Sequence, residues 1–250
     1  MNSRPRTRIA LYGDSLSLPR PGVVSNGQRY LLQVHDRLEA RLGMIVDVLD
    51  RGEGATTITA LKARITHDKH YYREPGFIAL VQSGIVDCAP RPVADSTREK
   101  IGRLPSFIRK RIIKYLHNNR TKLVLKRFYV RTSLPVFRDE YAASLEMLKK
   151  GYDHVFCINT CPAPDSFEKV SPGVRGQIAA YNEAIQGACH AAGARLVDVH
   201  SMILQGADVY DFILREDDHH ITARTHTWIA ENVLEQLGAD TLPSISSTSS

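Results

Sequence analysis

Short apolar runs alternate along the chain with longer segments whose apolar residues recur every three or four positions. Five runs have the length of buried strands, at 8–12, 45–49, 77–81, 154–159 and 195–199. Helical spacing is found between and after them, chiefly at 28–42, 57–65, 175–192 and 222–238. Strands that alternate with helices predict a parallel sheet with helices on both faces, because parallel neighbours need helical crossovers. Such a sheet places its functional residues at the carboxyl ends of its strands.

The chain is long enough for one domain with a substantial core and short for two, since domains commonly have about 100 to 200 residues. We therefore predict a single domain over residues 1–242. A basic stretch with amphipathic spacing, at about 96–134, interrupts the alternation between the third and fourth strands, and we interpret it as a helical insertion beside the site. The polar, serine-rich end of the chain, 243–250, is predicted to be disordered.

The formal net charge of +6 is unevenly distributed along the chain. Lysine and arginine are frequent from Arg98 to Arg131, where Glu99 is the one carboxylate. A field of one sign attracts anionic partners, although the same pattern also suits a solvated helical face. We expect no nucleic acid as a partner, because few aromatic residues for base stacking lie among these charges. Contact with a membrane surface through the insertion stays open, as does the oligomeric state.

The sequence carries no signal for secretion, membrane insertion or a disulfide framework. The apolar run near the N-terminus lasts only from Ile9 to Tyr12, whereas a secretory signal needs about 7 to 15 apolar residues. The cysteines lack paired Cys-x-x-Cys spacing and suit reduced thiols. We therefore expect a cytoplasmic protein that uses neither a metal ion nor an organic cofactor.

The first candidate for chemistry is the motif Gly13-Asp14-Ser15-Leu16, directly after the first predicted strand. A serine hydroxyl is a weak nucleophile until a base takes its proton, and a tight turn after a strand can present both its oxygen and its backbone N–H to a substrate. The same residue types are also common in ordinary turns. The position at the end of a strand favours Ser15 as a nucleophile.

The second candidate is the motif Asp217-Asp218-His219-His220, just before the last predicted helix. A histidine base needs a carboxylate that fixes its tautomer, and Asp217 stands three residues before His220, within reach across a turn. Two other interpretations are a preference of acidic residues for the helix N-terminus and a metal site formed with His226. Together with the serine of the first motif, the spacing favours a Ser-His-Asp triad.

These two motifs resemble the first and last sequence blocks of the SGNH hydrolases, also called GDSL esterases and lipases. The resemblance covers nearly the whole chain. It implies a flavodoxin-like α/β fold, a three-layer α/β/α sandwich around a five-stranded parallel sheet, which agrees with the order of elements derived above. It also implies that Ser15 is the nucleophile and that His220 and Asp217 complete its triad.

The resemblance further implies an oxyanion hole, and here the sequence departs from the family pattern. The backbone N–H groups of Ser15 and Gly54 would hold the oxyanion, with Gly52 as an alternative to Gly54. Val86 stands where the family has an asparagine donor, and valine cannot donate a hydrogen bond. Asn159, after the fourth strand, is a candidate replacement. Otherwise the hole is weaker, or catalysis has been lost.

The run from Gly84 to Arg91 is similar to that of bacterial SGNH proteins associated with surface polysaccharide biosynthesis. That likeness implies that Arg91 faces an anionic glycan or a nucleotide-linked or lipid-linked sugar, since a planar guanidinium suits carboxylates and phosphates. A surface arginine that caps a loop is the other interpretation of Arg91.

The residues predict acyl transfer by a serine nucleophile, and the resemblance implies a serine esterase that hydrolyses a carboxylic ester, such as an O-acetyl group on a carbohydrate. An O-acyltransferase that passes the acyl group to a sugar hydroxyl would use the same residues. A glycan-binding or polyanion-binding protein without catalysis is the alternative from another class, motivated by Val86 and the basic insertion.

Overall fold

The computed structural model of the chain describes residues 5–72, 74–206 and 208–238. Within these residues the centre is a five-stranded parallel sheet of order β2-β1-β3-β4-β5. The strands are β1 Arg6–Gly13, β2 Ile45–Gly52, β3 Gly76–Gln82, β4 Tyr152–Ile158 and β5 Arg195–Val197. The parallel sheet predicted from the alternating pattern is thereby confirmed.

Helices cover both faces of this sheet. Those in the described residues are α1 Tyr30–Leu42, α2 Ile58–Tyr71, α3 Ile85–Cys88, α4 Asp95–Gly102, α5 Ser106–Asn118, α6 Arg120–Lys126, α7 Leu134–Lys149, α8 Asp165–Val170, α9 Val174–Ala192, α10 Val199–Leu204 and α11 Ala223–Leu237. Helices α1, α10 and α11 pack on one face of the sheet, and α2, α7 and α9 pack on the other. The chain therefore forms the three-layer sandwich that the resemblance implies.

Alternate residues of the inner strands contact opposite helical layers. In β3, Ile78 and Leu80 pack in the core shared with α1 and α11, whereas Ala79 and Val81 pack in the core on the other face. Every residue of β3 is buried, because the strand lies at the centre of a sheet that is covered on both sides. An uninterrupted apolar run is the sequence pattern of such a strand.

The strand register brings three connecting loops to one edge of the sheet. Gly13, the last residue of β1, pairs with Gly52 at the end of β2 and with Gln82 at the end of β3. These three strands therefore end at the same level, and the loops that follow them lie side by side at the carboxyl edge.

The last two strands end earlier than predicted from the apolar runs. Asn159 lies in the loop after β4, and β5 stops at Val197. The side chain of Asp198 accepts a hydrogen bond from the Ser201 N–H at 3.0 Å and so caps the start of α10. The chain therefore turns from strand to helix at Asp198, where the apolar pattern alone shows no boundary.

Helices α4, α5 and α6 occupy the basic segment predicted as an insertion at about 96–134. Arg120 at the start of α6 donates hydrogen bonds to the Pro90 carbonyl at 3.0 Å and to the Ser171 hydroxyl at 3.2 Å. The Thr121 hydroxyl donates to the Lys169 carbonyl at 3.1 Å. These contacts fasten the insertion to the loop after α3 and to α8. The single-domain assignment stays a prediction, and its boundary at 242 and the tail 243–250 lie outside the described residues.

Two further expectations concern membranes and thiols. No helix in the described part of the chain is long and apolar enough to cross a membrane. The cysteines are buried and none forms a disulfide within the described residues: Cys88, Cys157, Cys161 and Cys189.

Candidate active site

The turn after β1 presents the candidate nucleophile at the edge of the sheet. Residues Ser15–Ser17 form a single turn of 3-10 helix directly after the strand. The Asp14 carboxylate caps this turn by accepting a hydrogen bond from the Leu16 N–H at 2.9 Å, and the Ser17 hydroxyl donates to the Asp14 carbonyl at 2.7 Å. A Cβ at Gly13 would lie 2.6 Å from the Ser17 hydroxyl oxygen, so a larger residue there would displace the turn.

Asp14 supports the turn and forms no hydrogen bond or ion pair with His220. Its carboxyl group is buried, and burial raises its pKa to about 7, against the opposite effect of the Leu16 N–H. Its Oδ2 atom has no hydrogen-bond partner among the described residues. The carboxyl group next to the candidate nucleophile is therefore held largely in its neutral form below pH 7.

Asp217 and His220 meet across the turn that precedes α11. Asp217 Oδ1 accepts hydrogen bonds from the N–H groups of His219 at 3.3 Å and His220 at 3.0 Å, and Asp218 closes the turn with a φ of 62°. Asp217 Oδ2 lies 2.6 Å from Nδ1 of His220. On the other side of the ring, Nε2 of His220 lies 3.0 Å from the Ser15 hydroxyl oxygen. The structure thus brings together the three residues predicted for a triad.

The environment keeps the His220 imidazole neutral. Burial lowers its pKa to about 4, and the charges of His219 and Arg20 act in the same direction, against the effect of Asp217. Burial would raise the pKa of Asp217, but the His220 N–H and the neighbouring histidines lower it overall. At neutral pH the pair is therefore a neutral imidazole beside an ionised carboxylate, the states that a general base and its orienting partner need.

Arg20 is a residue of the site that sequence analysis missed. Its guanidinium contacts Nε2 of His220 and lies 3.8 Å from Asp217 Oδ2. The short loop that carries it is closed by backbone hydrogen bonds between Arg20 and Val24 at 2.8 Å. No sequence pattern marks Arg20, because a lone arginine between prolines is typical of an exposed loop.

A cavity of about 550 Å³ opens beside these groups at the carboxyl edge of the sheet. Ser15 and Asp217 line it. Its other walls include residues from α3 and the loop after it, from the insertion and from α8: Val86, Arg91, His117, Arg120, Thr121 and Phe167. The insertion therefore covers one side of the space in which a substrate can reach Ser15.

The two glycines at the end of β2 differ in the use of their backbone N–H. The Gly52 N–H donates to Asp50 Oδ1 at 3.0 Å, whereas the N–H groups of Gly54 and Ser15 donate to no acceptor among the described residues. Gly54 lies in an exposed turn in which Ala55 has a φ of 61°. The Gly52 N–H is therefore already used and that of Gly54 is not, but Gly54 is not among the residues that line the cavity, so its role as an oxyanion donor stays a prediction.

Asn159 is not brought to this cavity. Its Nδ2 donates to Asp198 Oδ1 at 2.7 Å, and its Oδ1 accepts from the His200 N–H at 3.1 Å. Both ends of the amide therefore hold the connection between β4 and α10. The expectation that Asn159 replaces the missing oxyanion donor has no support in this geometry, since its Nδ2 already donates to Asp198 in a partly buried hydrogen bond.

The short helix α3, which follows β3, places Val86 in the cavity wall and Asp87 in the interior. The Asp87 carboxylate accepts hydrogen bonds from the Ile58 N–H at 3.1 Å and from the hydroxyls of Ser83 and Thr132. Burial raises its pKa to about 6. Asp87 thus joins α3 to the start of α2, which follows the turn that carries Gly54.

Three side chains in the site carry atoms of the kind that ligate metals, and these atoms lie within 4.8 Å of one another: Asp217, His219 and His220. Hydrogen bonds account for this closeness. Both ring nitrogens of His220 are used, Nδ1 by Asp217 and Nε2 by Ser15 and Arg20, and Nδ1 of His219 lies 2.6 Å from the Asp217 carbonyl oxygen. The arrangement suits proton transfer better than metal binding.

Comparison with known proteins gives a match in structure alone. No family model matches the chain, and no curated protein does. A lipase/acylhydrolase from Enterococcus faecalis superposes with a TM-score of 0.64 at 12% identity, over 92% of this chain and 95% of the other. An acetylxylan esterase from Geobacillus stearothermophilus superposes with a TM-score of 0.61 at 16% identity, over 98% and 100%.

A third match is a member of the lipolytic protein G-D-S-L family from Veillonella parvula, with a TM-score of 0.58 at 12% identity, over 92% of this chain and 97% of the other. The fold is thus that of the GDSL or SGNH hydrolases, and it extends over nearly the whole chain. The family resemblance carried by the two motifs is confirmed at the level of the fold.

Proposed function

We propose that this protein is a serine esterase that hydrolyses a carboxylic ester through Ser15, His220 and Asp217. One observation carries the proposal: a continuous hydrogen-bonded chain runs from Asp217 through His220 to the Ser15 hydroxyl, with distances of 2.6 and 3.0 Å, at the edge of a cavity. The shared fold of lipolytic enzymes supports it.

The first half of the reaction acylates the serine. Neutral His220 takes the proton from the Ser15 hydroxyl as its oxygen attacks the ester carbonyl carbon, and Asp217 stabilises the imidazolium that forms. The carbonyl oxygen becomes an oxyanion, held by the N–H groups of Ser15 and Gly54. The bond to the alcohol then breaks, and the leaving oxygen takes the proton from His220. Water repeats the sequence on the acyl-enzyme and releases the carboxylic acid.

The oxyanion hole has one side-chain donor fewer than the family pattern implies. Val86 lines the cavity at that position and cannot donate. Loss of one such donor typically costs about a hundredfold to a thousandfold in turnover. We therefore expect a slow esterase with simple esters, whose rate depends on the two backbone donors.

An O-acetyl group on a carbohydrate is the substrate we favour. A protein with the same fold is an acetylxylan esterase, and the cavity of about 550 Å³ has room for a sugar ring beside Ser15. An O-acyltransferase is the second candidate, favoured by a further cavity of about 360 Å³ that adjoins the first and offers room for an acceptor. Acetylated methyl glucoside formed from p-nitrophenyl acetate and methyl glucoside would identify the transferase.

The test of the proposed function is covalent labelling combined with turnover. We expect a fluorophosphonate to form an adduct on Ser15, located by mass spectrometry, and p-nitrophenyl acetate and butyrate to be hydrolysed. Ser106→Ala, at the exposed start of α5, is the matched control and should change neither result. Absence of both adduct and turnover would exclude a competent nucleophile and leave a glycan-binding or polyanion-binding protein as the better hypothesis.

The pH dependence of the esterase tests the electrostatics around the base. We expect Arg20→Gln to move the acidic limb of the kcat/KM profile to higher pH, because loss of a nearby positive charge raises the pKa of His220. The base must be neutral to act, so a raised pKa needs a higher pH for full activity. Arg41→Gln, at the exposed end of α1, is the control. An unchanged limb in Arg20→Gln would contradict this electrostatic effect.

A further inference from the structure

A second cavity, of about 360 Å³, continues from the active-site cavity into the basic insertion. The two cavities share Arg91, His117 and Arg120 in their walls. Arg98 and Arg109 also line the second cavity. The space that extends from Ser15 is therefore bordered by arginine side chains at the junction and beyond it.

The guanidinium groups at the junction lack acidic partners. Arg91 donates to the Val86 carbonyl at 3.4 Å, and Arg120 donates to the Pro90 carbonyl at 3.0 Å and to the Ser171 hydroxyl at 3.2 Å. Within the described residues neither forms an ion pair with a carboxylate, and the Nε atom of each is buried without a hydrogen-bond partner. Two partly buried positive charges therefore have donors left over.

The one carboxylate in the wall of the second cavity does not neutralise them. Asp95 pairs with Arg131, whose Nε lies 2.9 Å from an Asp95 oxygen. Burial lowers the pKa of Arg91 to about 10, and the nearby charges of Arg131, Arg98 and Arg120 act in the same direction, against Asp95. Burial also lowers the pKa of Arg120. Like charges held together in partly buried positions are stabilised by an anion that binds between them.

The remaining walls of the second cavity are largely apolar. Val93, Ile101 and Leu116 are half-buried and line it. Partial burial beside apolar walls lowers the local dielectric constant, so a hydrogen bond between a guanidinium and an anion is stronger there than at a fully exposed surface. The rigid fork of an arginine matches the two oxygens of a carboxylate or phosphate.

We propose that Arg91 and Arg120 bind an anionic group of the substrate, a carboxylate or a phosphate, while the ester bond lies at Ser15. The inference deepens the proposed function and rests on it for the position of the ester. It makes the substrate class an acyl ester of an acidic carbohydrate, with the acidic group held at the junction of the two cavities.

Binding is measured first, because it does not depend on catalysis. Calorimetry compares three ligands that differ only at carbon 6: methyl glucoside, methyl glucuronide and methyl glucoside 6-phosphate. We expect at least one anionic sugar to bind about tenfold to a hundredfold more tightly than the neutral sugar, the effect of charge-assisted hydrogen bonds. The stronger of the two anionic ligands identifies the group as a carboxylate or a phosphate.

Two variants locate the binding to the junction. Arg91→Gln and Arg120→Gln should remove most of the preference for the anionic sugar, and thermal melting shows whether each variant is folded. Arg120 also fastens the insertion, so Arg91→Gln decides the matter if Arg120→Gln does not fold. Lys114→Gln removes the same charge from an exposed position on α5 and should leave the preference unchanged.

Hydrolysis of the 3-O-acetyl derivatives of the same three sugars gives the second measurement. We expect a higher kcat/KM for the preferred acidic ester than for the neutral ester. In Arg91→Gln this advantage should be lost, chiefly through a higher KM for the acidic ester, while kcat/KM for the neutral ester should change little. Equal affinity for all three sugars would overturn the proposal. An equal decrease in kcat/KM for neutral and acidic esters in Arg91→Gln would also overturn it, because that result would place Arg91 in the oxyanion hole. Anion binding without hydrolysis or labelling of Ser15 would sustain the anionic site and refute the esterase.

Discussion

Ser15→Ala is expected to lower kcat for p-nitrophenyl acetate by about a thousandfold or more, and to abolish the fluorophosphonate adduct. Without the hydroxyl, water must attack the ester directly, so the covalent intermediate is lost. The N–H groups of residues 15 and 54 remain, so KM should change little and a residual rate above the uncatalysed reaction should persist. Steady-state kinetics and intact-protein mass spectrometry measure the two effects.

A much smaller decrease of kcat in Ser15→Ala would contradict the role of Ser15 as the nucleophile. If Ser15→Ala retained more than about a tenth of the wild-type kcat, another group would be the nucleophile, and the 3.0 Å contact between Ser15 and His220 would have no catalytic role. A melting temperature equal to that of the wild type is required for the comparison. The Ser15 hydroxyl donates only toward His220 among the described residues, so its removal should leave the turn after β1 intact.

Asp217→Asn is expected to lower kcat by about a thousandfold to ten-thousandfold, because it changes the tautomer of His220. The asparagine oxygen can still accept the backbone N–H groups of the turn, but its amide nitrogen would face Nδ1 of His220, now 2.6 Å from a carboxylate oxygen. An amide N–H donates to Nδ1, so the ring proton moves to Nε2. A protonated Nε2 cannot accept the proton of Ser15.

Asp218→Asn is the matched control for this substitution. Asp218 stands in the same turn with a φ of 62°, a conformation that asparagine adopts well, and its carboxylate accepts from the Tyr210 hydroxyl at 3.0 Å. The control loses one negative charge at a neighbouring position and should keep kcat within about threefold of the wild type. A decrease of less than tenfold in Asp217→Asn would show that the carboxylate does not set the tautomer of His220.

The sequence predicts those parts of the fold and site that depend on short-range patterns. The apolar run of β3 is buried on both faces, and the spacing of Asp217 and His220 is that of one turn, so both can be recognised without knowledge of distant residues. The nucleophile turn is similarly local, since Asp14 caps it with a hydrogen bond to Leu16.

Features that depend on distant contacts could not be predicted in this way. Arg20 meets His220 across 200 positions of the chain, and no pattern in its own loop indicates that contact. Asn159 has the residue type of an oxyanion donor, yet Asp198 and His200 use its amide. The sequence predicts an insertion beside the site from its charge and spacing, but the contacts that fasten it there, such as Arg120 to Ser171, could not be read from that pattern.

The buried carboxyl groups of Asp14 and Asp87 couple the folding equilibrium to pH. Their pKa values in the folded protein are raised to about 7 and about 6, above those of an exposed aspartate, so these two groups bind more protons in the folded chain than in the unfolded chain between about pH 4 and pH 7. Their contribution to the free energy of unfolding is therefore greatest on the acid side and decreases as the pH rises through this range. The residue that shapes the nucleophile turn thus stabilises the folded protein less at neutral pH than in mildly acidic solution, whereas the lowered pKa of His220 acts in the opposite sense.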